Sequence, residues 1–328
     1  MPETIALIGG ETLLGREVRD VFGESALGGQ LRLVAADEEE TGTLTEVGGE
    51  PTFLAKFDPD AVENAAVVIL AGTRQSSRDA LDAHPTGLIV DLTYVTEDEA
   101  DSELRAPLVE DAEYHAEHAG PQTVAHPAAT AIAILLGHLH RAWPISNALI
   151  HIFEPASERD KAGIDELQRQ TVNLLSFQPL PKKVFDAQLS FNMLAQLGDE
   201  AQTQLLEIEE RIERHLATLL DRGDGVPMPS LRLIQSPVFH GYSFSLWIEF
   251  EDAPTAAEIE ESLAHELIDV RGGGAEAPNN VGAVGQSGVS VGAITPDRNN
   301  ARAVWMWMVA DNLRLTAESA AMIAREVV

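Results

Sequence analysis

Four short apolar runs in the N-terminal part of the chain limit the folds open to it. They are Thr4–Gly9 (TIALIG), Gln30–Ala36 (QLRLVAA), Ala65–Ala71 (AAVVILA) and Gly87–Thr93 (GLIVDLT), each with the length and side chains of a buried strand. Leu13–Phe22 has apolar residues at helical spacing, and Ser76–His84 is a second helix candidate. Strands alternating with helices predict right-handed βαβ units. The expected fold is therefore α/β, with a doubly wound parallel sheet of the Rossmann type.

The pattern changes after residue 143. Ile145–Glu154 (ISNALIHIFE) alternates as a strand of an antiparallel sheet with one exposed face. Helices are predicted over Asp160–Leu175 and Glu200–Leu220, the second with Leu205, Ile208, Ile212, Leu216 and Leu219 on one face. Leu231–Ser236, Gly241–Phe250, Val289–Ile294 and Ala303–Val309 (AVWMWMV) read as strands. Thr255 and Glu258 form a capping box for a helix carrying Ile259, Leu263 and Leu267. Gly272–Asn280 lacks core-forming residues and reads as a mobile loop; Asn312–Val327 reads as a closing helix. Two domains are expected. Residues 1–127 with 311–328 form the Rossmann-type domain, and residues 128–310 an α+β domain with a mostly antiparallel sheet.

Charge and composition exclude several functions. The chain has 53 acidic and 22 basic residues, a net charge of −31, and its lysines are Lys56, Lys161, Lys182 and Lys183. Such a charge repels nucleic-acid phosphates and anionic lipid, so neither nucleic acid nor membrane is an expected partner. It reads as a solvated surface of the kind salt-adapted proteins carry. No apolar run approaches a membrane span and no basic, apolar leader is visible, so the cytoplasm is the expected location. The absence of cysteine excludes disulfides, thiolate metal ligands and every cysteine-nucleophile mechanism.

The first strand–helix turn, Gly9-Gly10-Glu11-Thr12-Leu13-Leu14-Gly15, stands where a dinucleotide pyrophosphate meets a helix N-terminus. Thr12 replaces the middle glycine of that fingerprint and would crowd a pyrophosphate, and Glu11 adds an unfavourable charge. The second strand ends in Ala36-Asp37-Glu38-Glu39-Glu40, and the acid at Asp37 suits a free ribose diol. A carboxylate about 4–5 Å from a 2′-phosphate costs roughly 3–4 kcal/mol per charge pair near a surface. NADP is thus disfavoured and NAD allowed; an acidic loop that binds nothing explains the same run. Gly288–Gly292 matches the serine-hydrolase GxSxG pattern around Ser290, but no helix follows, so the match is read as chance. His138, His140 and His151 have no metal-ligand spacing, and no metal is expected.

The stretch TVAHPAATAIAIL at residues 123–135 has the form of a site: a strand end, a proline turn at His126-Pro127, and a helix start at Thr130. Together with PVFHGYS ending at Ser243, VADNLR at Val309–Arg314, KAGIDEL at Lys161–Leu167 and FNMLAQLG at Phe191–Gly198, it resembles the aspartate-semialdehyde dehydrogenases. The resemblance follows the whole chain in order. It implies reduction of aspartyl phosphate through a cysteine thiohemiacetal, with hydride from NADP, a histidine base, and arginines holding carboxylate and phosphate.

The resemblance also implies that each of these parts is missing. The family's Asn-Pro-Asn-Cys-Thr turn is His126-Pro127-Ala128-Ala129-Thr130 here, which puts Ala129 at the nucleophile position. The Gly-His-Ser base triplet becomes Gly241-Tyr242-Ser243, the substrate arginine falls at Gln235, and a glutamine near the nucleophile becomes Glu154. The phosphate-binding stretch becomes Leu92–Glu97, with Glu97 where an arginine is expected. Gly9, Thr12, Leu13, Leu14, Gly15, Asp37, Gly72 and Asn312 are the matching cofactor positions, in weakened form. The expected function is a binding or regulatory homodimer, associating through the second sheet, that has lost the reaction. The alternative is a divergent NAD-dependent oxidoreductase with Tyr242 as acid, for which the sequence shows no lysine placed to lower the phenol's pKa. A heteromer with an active paralogue has no sequence support of its own.

Overall fold

The computed structural model describes residues 3–328 except 26–28, 37, 38, 40, 43, 112, 113, 115, 117–119, 223 and 224. It divides into two units, residues 1–125 with 316–328 and residues 126–315.

In chain order the first unit contains β1 (Thr4–Ile8), α1 (Leu13–Glu24), β2 (Gln30–Val34), β3 (Leu44–Val47), β4 (Glu50–Phe53), α2 (Pro59–Glu63), β5 (Val67–Leu70), α3 (Arg74–Asp82), β6 (Leu88–Asp91), β7 (Glu103–Arg105) and β8 (Gln122–Val124). Six of these strands form one parallel sheet in the order β2-β1-β5-β6-β8-β7, and β3 and β4 pair as a hairpin. Alternation along β1 decides which layer each side chain enters. Ile5 and Leu7 join Val18, Val21 and Phe22 of α1 and Ala317, Ala320 and Ala324 near the C-terminus. Ala6 and Ile8 point the other way, to Val62 of α2 and Ala80 of α3. That is the double winding predicted from the four apolar runs. The hairpin, α2, β7 and β8 are additions the sequence reading did not contain.

The second unit contains α4 (Pro127–Ala142), β9 (Ile145–Glu154), a 3₁₀ turn (Ala156–Arg159), α5 (Asp160–Leu175), α6 (Leu205–Asp221), β10 (Ser230–Gln235), β11 (Tyr242–Phe250), α7 (Ala256–Ser262), β12 (Ile268–Arg271), α8 (Asn280–Ala283), β13 (Val289–Pro296) and β14 (Ala303–Ala310). A last helix, α9 (Asn312–Arg325), begins here and ends in the first unit. The sheet order is β10-β9-β11-β14-β13-β12, antiparallel across its three central pairs and parallel at both edges.

One face of this sheet is core. Ile150, Ile152, Phe244, Leu246, Ile248, Met306 and Met308 are buried. The residues between them carry the opposite face, where Trp247 lies opposite both Leu149 and Trp305, and Ser245 opposite His151 and Trp307. Leu149 and Trp305 are each 39% exposed. The indole N–H groups of Trp247 and Trp305 both donate to Asp297 Oδ2 at 2.9 Å, which fixes the two rings side by side.

Several features differ from expectation, among them the helix read from Glu200, which starts at Leu205. The helix after the proline turn starts at Pro127 rather than Thr130, because Pro127 has the φ of a first helical residue and His126 caps it with Nδ1. The Thr255/Glu258 capping box forms, but α7 stops at Ser262, with Leu263 as its C-cap, so Leu267 lies outside it. Ile145–Glu154 is one strand, as read, yet its β10 edge is parallel rather than antiparallel.

Candidate functional site

In the second unit the proline turn lies at the start of α4, and Ala128 and Ala129 are fully buried. The Ala128 N–H donates to His126 Nδ1 at 3.3 Å, and the His126 N–H donates to His215 Nδ1 at 3.0 Å. The His126 ring stands edge-on to the Tyr242 ring, centroids 6.0 Å apart, and its Nε2 lies 3.9 Å from Glu158 Oε2. Apart from Thr130 the first turn of α4 carries no hydroxyl, and it carries no thiol.

Charge surrounds this turn instead. The period of β9 puts Glu154 on the same inward register as Ile150 and Ile152, and it is fully buried. A carboxylate so placed needs a cation. The chain supplies one five residues on: Arg159 donates to both Glu154 oxygens, at 3.3 and 3.1 Å. The 3₁₀ turn bringing it back is anchored by Ala156 and Ser157 N–H groups donating to the Val238 and Phe239 carbonyls. Asp160, at φ 49°, ends that turn in the left-handed region.

Glu158 sits within the same cluster. Asn312 Nδ2 donates to Glu158 Oε1 at 2.7 Å, and Asn312 Oδ1 accepts the Gly241 N–H at 3.2 Å. Burial, and next the charge of Glu154, push the Glu158 carboxyl up to about 7 against the pull of Arg159. Burial likewise raises the Glu154 carboxyl, with Arg159 opposing. The Arg159 guanidinium stays charged, held by Glu154 and Glu158, and its field also reaches Tyr242. Gln235 is fully buried and gives Nε2 to the Glu154 carbonyl at 2.9 Å. Its Oε1 has no hydrogen-bond partner among the described residues.

Of the residues singled out from sequence, Tyr242, Gln235 and Glu154 thus share one buried network with the turn that holds Ala129. Asn312, taken as a cofactor position, is 2% exposed and its amide is engaged by Glu158 and Gly241. Glu97 is in the other unit, partly buried. There the segment after β6 wraps the buried Asp91, whose two oxygens accept from the N–H and hydroxyl groups of Thr93 and Thr96 at 2.8–2.9 Å. The sequence reading had not singled out Arg159 or Glu158. The signal for Arg159 was an acid in the buried register of a strand, which calls for a nearby cation.

The first unit holds the dinucleotide-type turn. Gly9 has φ 87°, and a Cβ on it would lie 2.4 Å from Gly72 Cα; a Cβ on Gly15 would lie 2.0 Å from the Gly9 carbonyl oxygen. Both positions admit glycine alone. Thr12 is not an unengaged side chain: its hydroxyl lies 2.8 Å from the Gly9 and Ala71 carbonyls and accepts the Gly15 N–H, capping α1. Nor is Glu11 an open charge, since Arg16 and Arg19 bind it at 2.7 and 2.6 Å. The Glu11 N–H donates to Glu39 Oε1 at 2.7 Å, and the Ala36 N–H to Glu39 Oε2 at 2.8 Å. Asp37, the acid chosen from sequence, lies outside the described residues. Leu13 and Leu14 open α1 as expected.

The remaining motifs have plain structural roles. Ser290 lies in β13, opposite Val309, and its hydroxyl donates to Asp269, with no elbow and no following helix. His138 packs on His265 at 4.1 Å, and His140 Nδ1 accepts the Ile145 N–H. Among the described residues no group of three His, Asp or Glu is arranged to hold a metal. No described helix is long and apolar enough to cross a membrane.

Comparison with known proteins agrees with this architecture. Aspartate-semialdehyde dehydrogenase of Rickettsia bellii is 29% identical over 214 residues, 63% of this chain and 61% of the relative. A USG-1 protein homolog of Pseudomonas aeruginosa is 34% identical over 173 residues, 52% of this chain and 51% of the relative. These matches span between half and two thirds of those relatives. Aspartate-semialdehyde dehydrogenase 2 of Vibrio cholerae is 25% identical over 335 residues, covering 98% of this chain and 96% of that protein. Among solved structures, a probable aspartate-semialdehyde dehydrogenase of P. aeruginosa superposes with a TM-score of 0.84 at 24% identity, covering 99% of this chain and 98% of that one. The V. cholerae enzyme complexed with ASA superposes at 0.82 and 22% identity, over 99% and 97%. The family model for the semialdehyde dehydrogenase dimerisation domain matches residues 136–315, more than half of the chain, and the protein belongs to the semialdehyde dehydrogenase family.

Proposed function

We propose that this chain is a family member that has lost the dehydrogenase reaction and works as a binding homodimer. One observation carries the reading: the start of α4 presents Ala129 in a chain without cysteine, and a buried Glu154–Arg159 ion pair with Glu158, His126 and Tyr242 lines the turn's surroundings. Acyl transfer needs a nucleophile with a base in reach. An alanine supplies none, Gln235 stands where the resemblance places the substrate arginine, and the buried Arg159 is held by Glu154 in a bidentate ion pair. The open, tryptophan-bearing sheet face, within the part matched by the dimerisation-domain model, is the proposed contact between two copies.

A second reading rests on Arg159. Its charge reaches Tyr242 and is the cationic neighbour that a tyrosine acid requires. Both readings meet in one assay: phosphate-dependent oxidation of aspartate semialdehyde by the full chain, with NADP and with NAD, beside the V. cholerae relative as positive control. The expected result is no turnover above the enzyme-free rate. Turnover that disappears in Tyr242→Phe would overturn the proposal and establish the second reading.

A further inference from the structure

The Glu39 carboxylate lies just past the end of β2, where a Rossmann-type fold reads the ribose of a dinucleotide. It bridges the end of β2 and the strand–helix turn, taking the Ala36 N–H on one oxygen and the Glu11 N–H on the other. The turn itself is built for close approach, with Gly9, Gly15 and Gly72 packed too tightly for any Cβ. Arg16 and Arg19 of α1 are both bound to Glu11. A phosphate arriving beside the Glu11 amide would therefore meet a seated carboxylate, and guanidinium groups already committed to another one.

We infer that Glu39 sets the nucleotide preference of this turn: it shuts out a 2′-phosphorylated ribose and accepts hydroxyls of a free 2′,3′-diol. A carboxylate is an acceptor alone, so it pairs with ribose O–H groups and repels phosphate. At 4–5 Å each charge pair near a surface is worth about two decades of affinity. NADP, the cofactor implied by the family resemblance, does not fit the residues present, whereas NAD does. The inference is independent of whether the dehydrogenase reaction is lost, because it concerns the first unit alone.

The test is calorimetric titration of the full chain with NAD and NADP, using wild type, Glu39→Gln and Glu39→Ser. Wild type is expected to bind NAD about a hundredfold more tightly than NADP. Both substitutions should narrow that ratio at least tenfold, by loss of NAD affinity and gain of NADP affinity. Raising the salt from 0.05 to 0.5 M should narrow the gap in wild type and hardly move it in Glu39→Gln, a response that a merely structural role would not give. Equal binding of both nucleotides by wild type would overturn the inference. So would failure of wild type to bind NAD at millimolar concentration, or a preference that survives both substitutions. Unchanged thermal unfolding of the variants guards against loss of fold.

Discussion

Glu158→Gln should stabilise the protein at alkaline pH and leave it nearly unchanged near pH 4.5. In the folded chain this carboxyl is pushed from an ordinary 4.5 up to about 7, chiefly by burial and by the neighbouring charge of Glu154. The folded state therefore holds the proton more tightly than the unfolded one. Stability from this group is fully present below pH 4.5, falls as pH rises towards 7, and stays low above it. A rise of about 2.5 at roughly 1.4 kcal/mol per pH unit gives about 3.5 kcal/mol, reduced to about 2–3 because the side chain is 15% exposed and its titration is shared with Glu154. Glutamine keeps an oxygen for the Asn312 amide but removes the charge. The groups facing it, Glu154, Arg159, Arg211 and His126, remain in both proteins, as does the repulsion among the other surface acids.

The assay is urea unfolding of both proteins from pH 4.5 to 8.5, read as the difference in unfolding free energy. It should be within about 1 kcal/mol at the acid end and grow to about 2–3 kcal/mol in favour of Glu158→Gln by pH 8. A difference that stays constant with pH would refute the reasoning, since it would mean that Glu158 titrates alike in the folded and unfolded states. A difference of opposite sign would mean that Arg159 and Arg211 outweigh burial and Glu154.

Two further outcomes follow from single contacts. Gln235→Leu should change stability by less than about 1 kcal/mol, because it removes an orphaned acceptor while the Glu154 carbonyl keeps the Ser236 N–H and hydroxyl at 3.0 and 2.9 Å; destabilisation beyond about 2 kcal/mol in chemical unfolding would contradict this. Trp305→Lys, on the open sheet face beside Trp247, should weaken homodimer association by about 30-fold or more, the cost of a lost aromatic anchor, as measured by sedimentation at several salt concentrations; an unchanged dimer would exclude that face.

The features legible in sequence were those set by local physics. The apolar runs became β1, β2, β5 and β6, and the Thr255/Glu258 box capped α7, because period and capping depend on neighbours within a few residues. β7 and β8 are three residues each and mix polar with apolar side chains, so neither carries a readable period. The site divides the same way. Ala129, Gln235 and Tyr242 were found from the resemblance, but Glu158 and Arg159 sit in ASERD, which reads as a solvated loop until the 3₁₀ turn folds it against Tyr242 and Asn312. In the first unit four neighbouring acids are alike in sequence, and only the hydrogen bond from the Glu11 N–H distinguishes Glu39.

The buried pair also bears on the proposed loss of the reaction. An ion pair removed from water is a poor way to fill space: apolar side chains of similar volume are often as stable, or better by about 1–4 kcal/mol. Removing one partner, by contrast, strands a buried charge and costs about 3–5 kcal/mol. Glu154 and Arg159 therefore hold each other in place, and neither can be changed alone without stranding the other's charge. Ala129→Cys alone would leave Tyr242, Gln235 and the Glu154–Arg159 pair unchanged, so on the proposed reading it is not expected to give turnover. The two units are also separate objects of experiment. The nucleotide turn, with Glu39 on its amide, can keep a ligand whatever has become of the chemistry at α4, because function resides in each site and not in the fold that both share with active relatives.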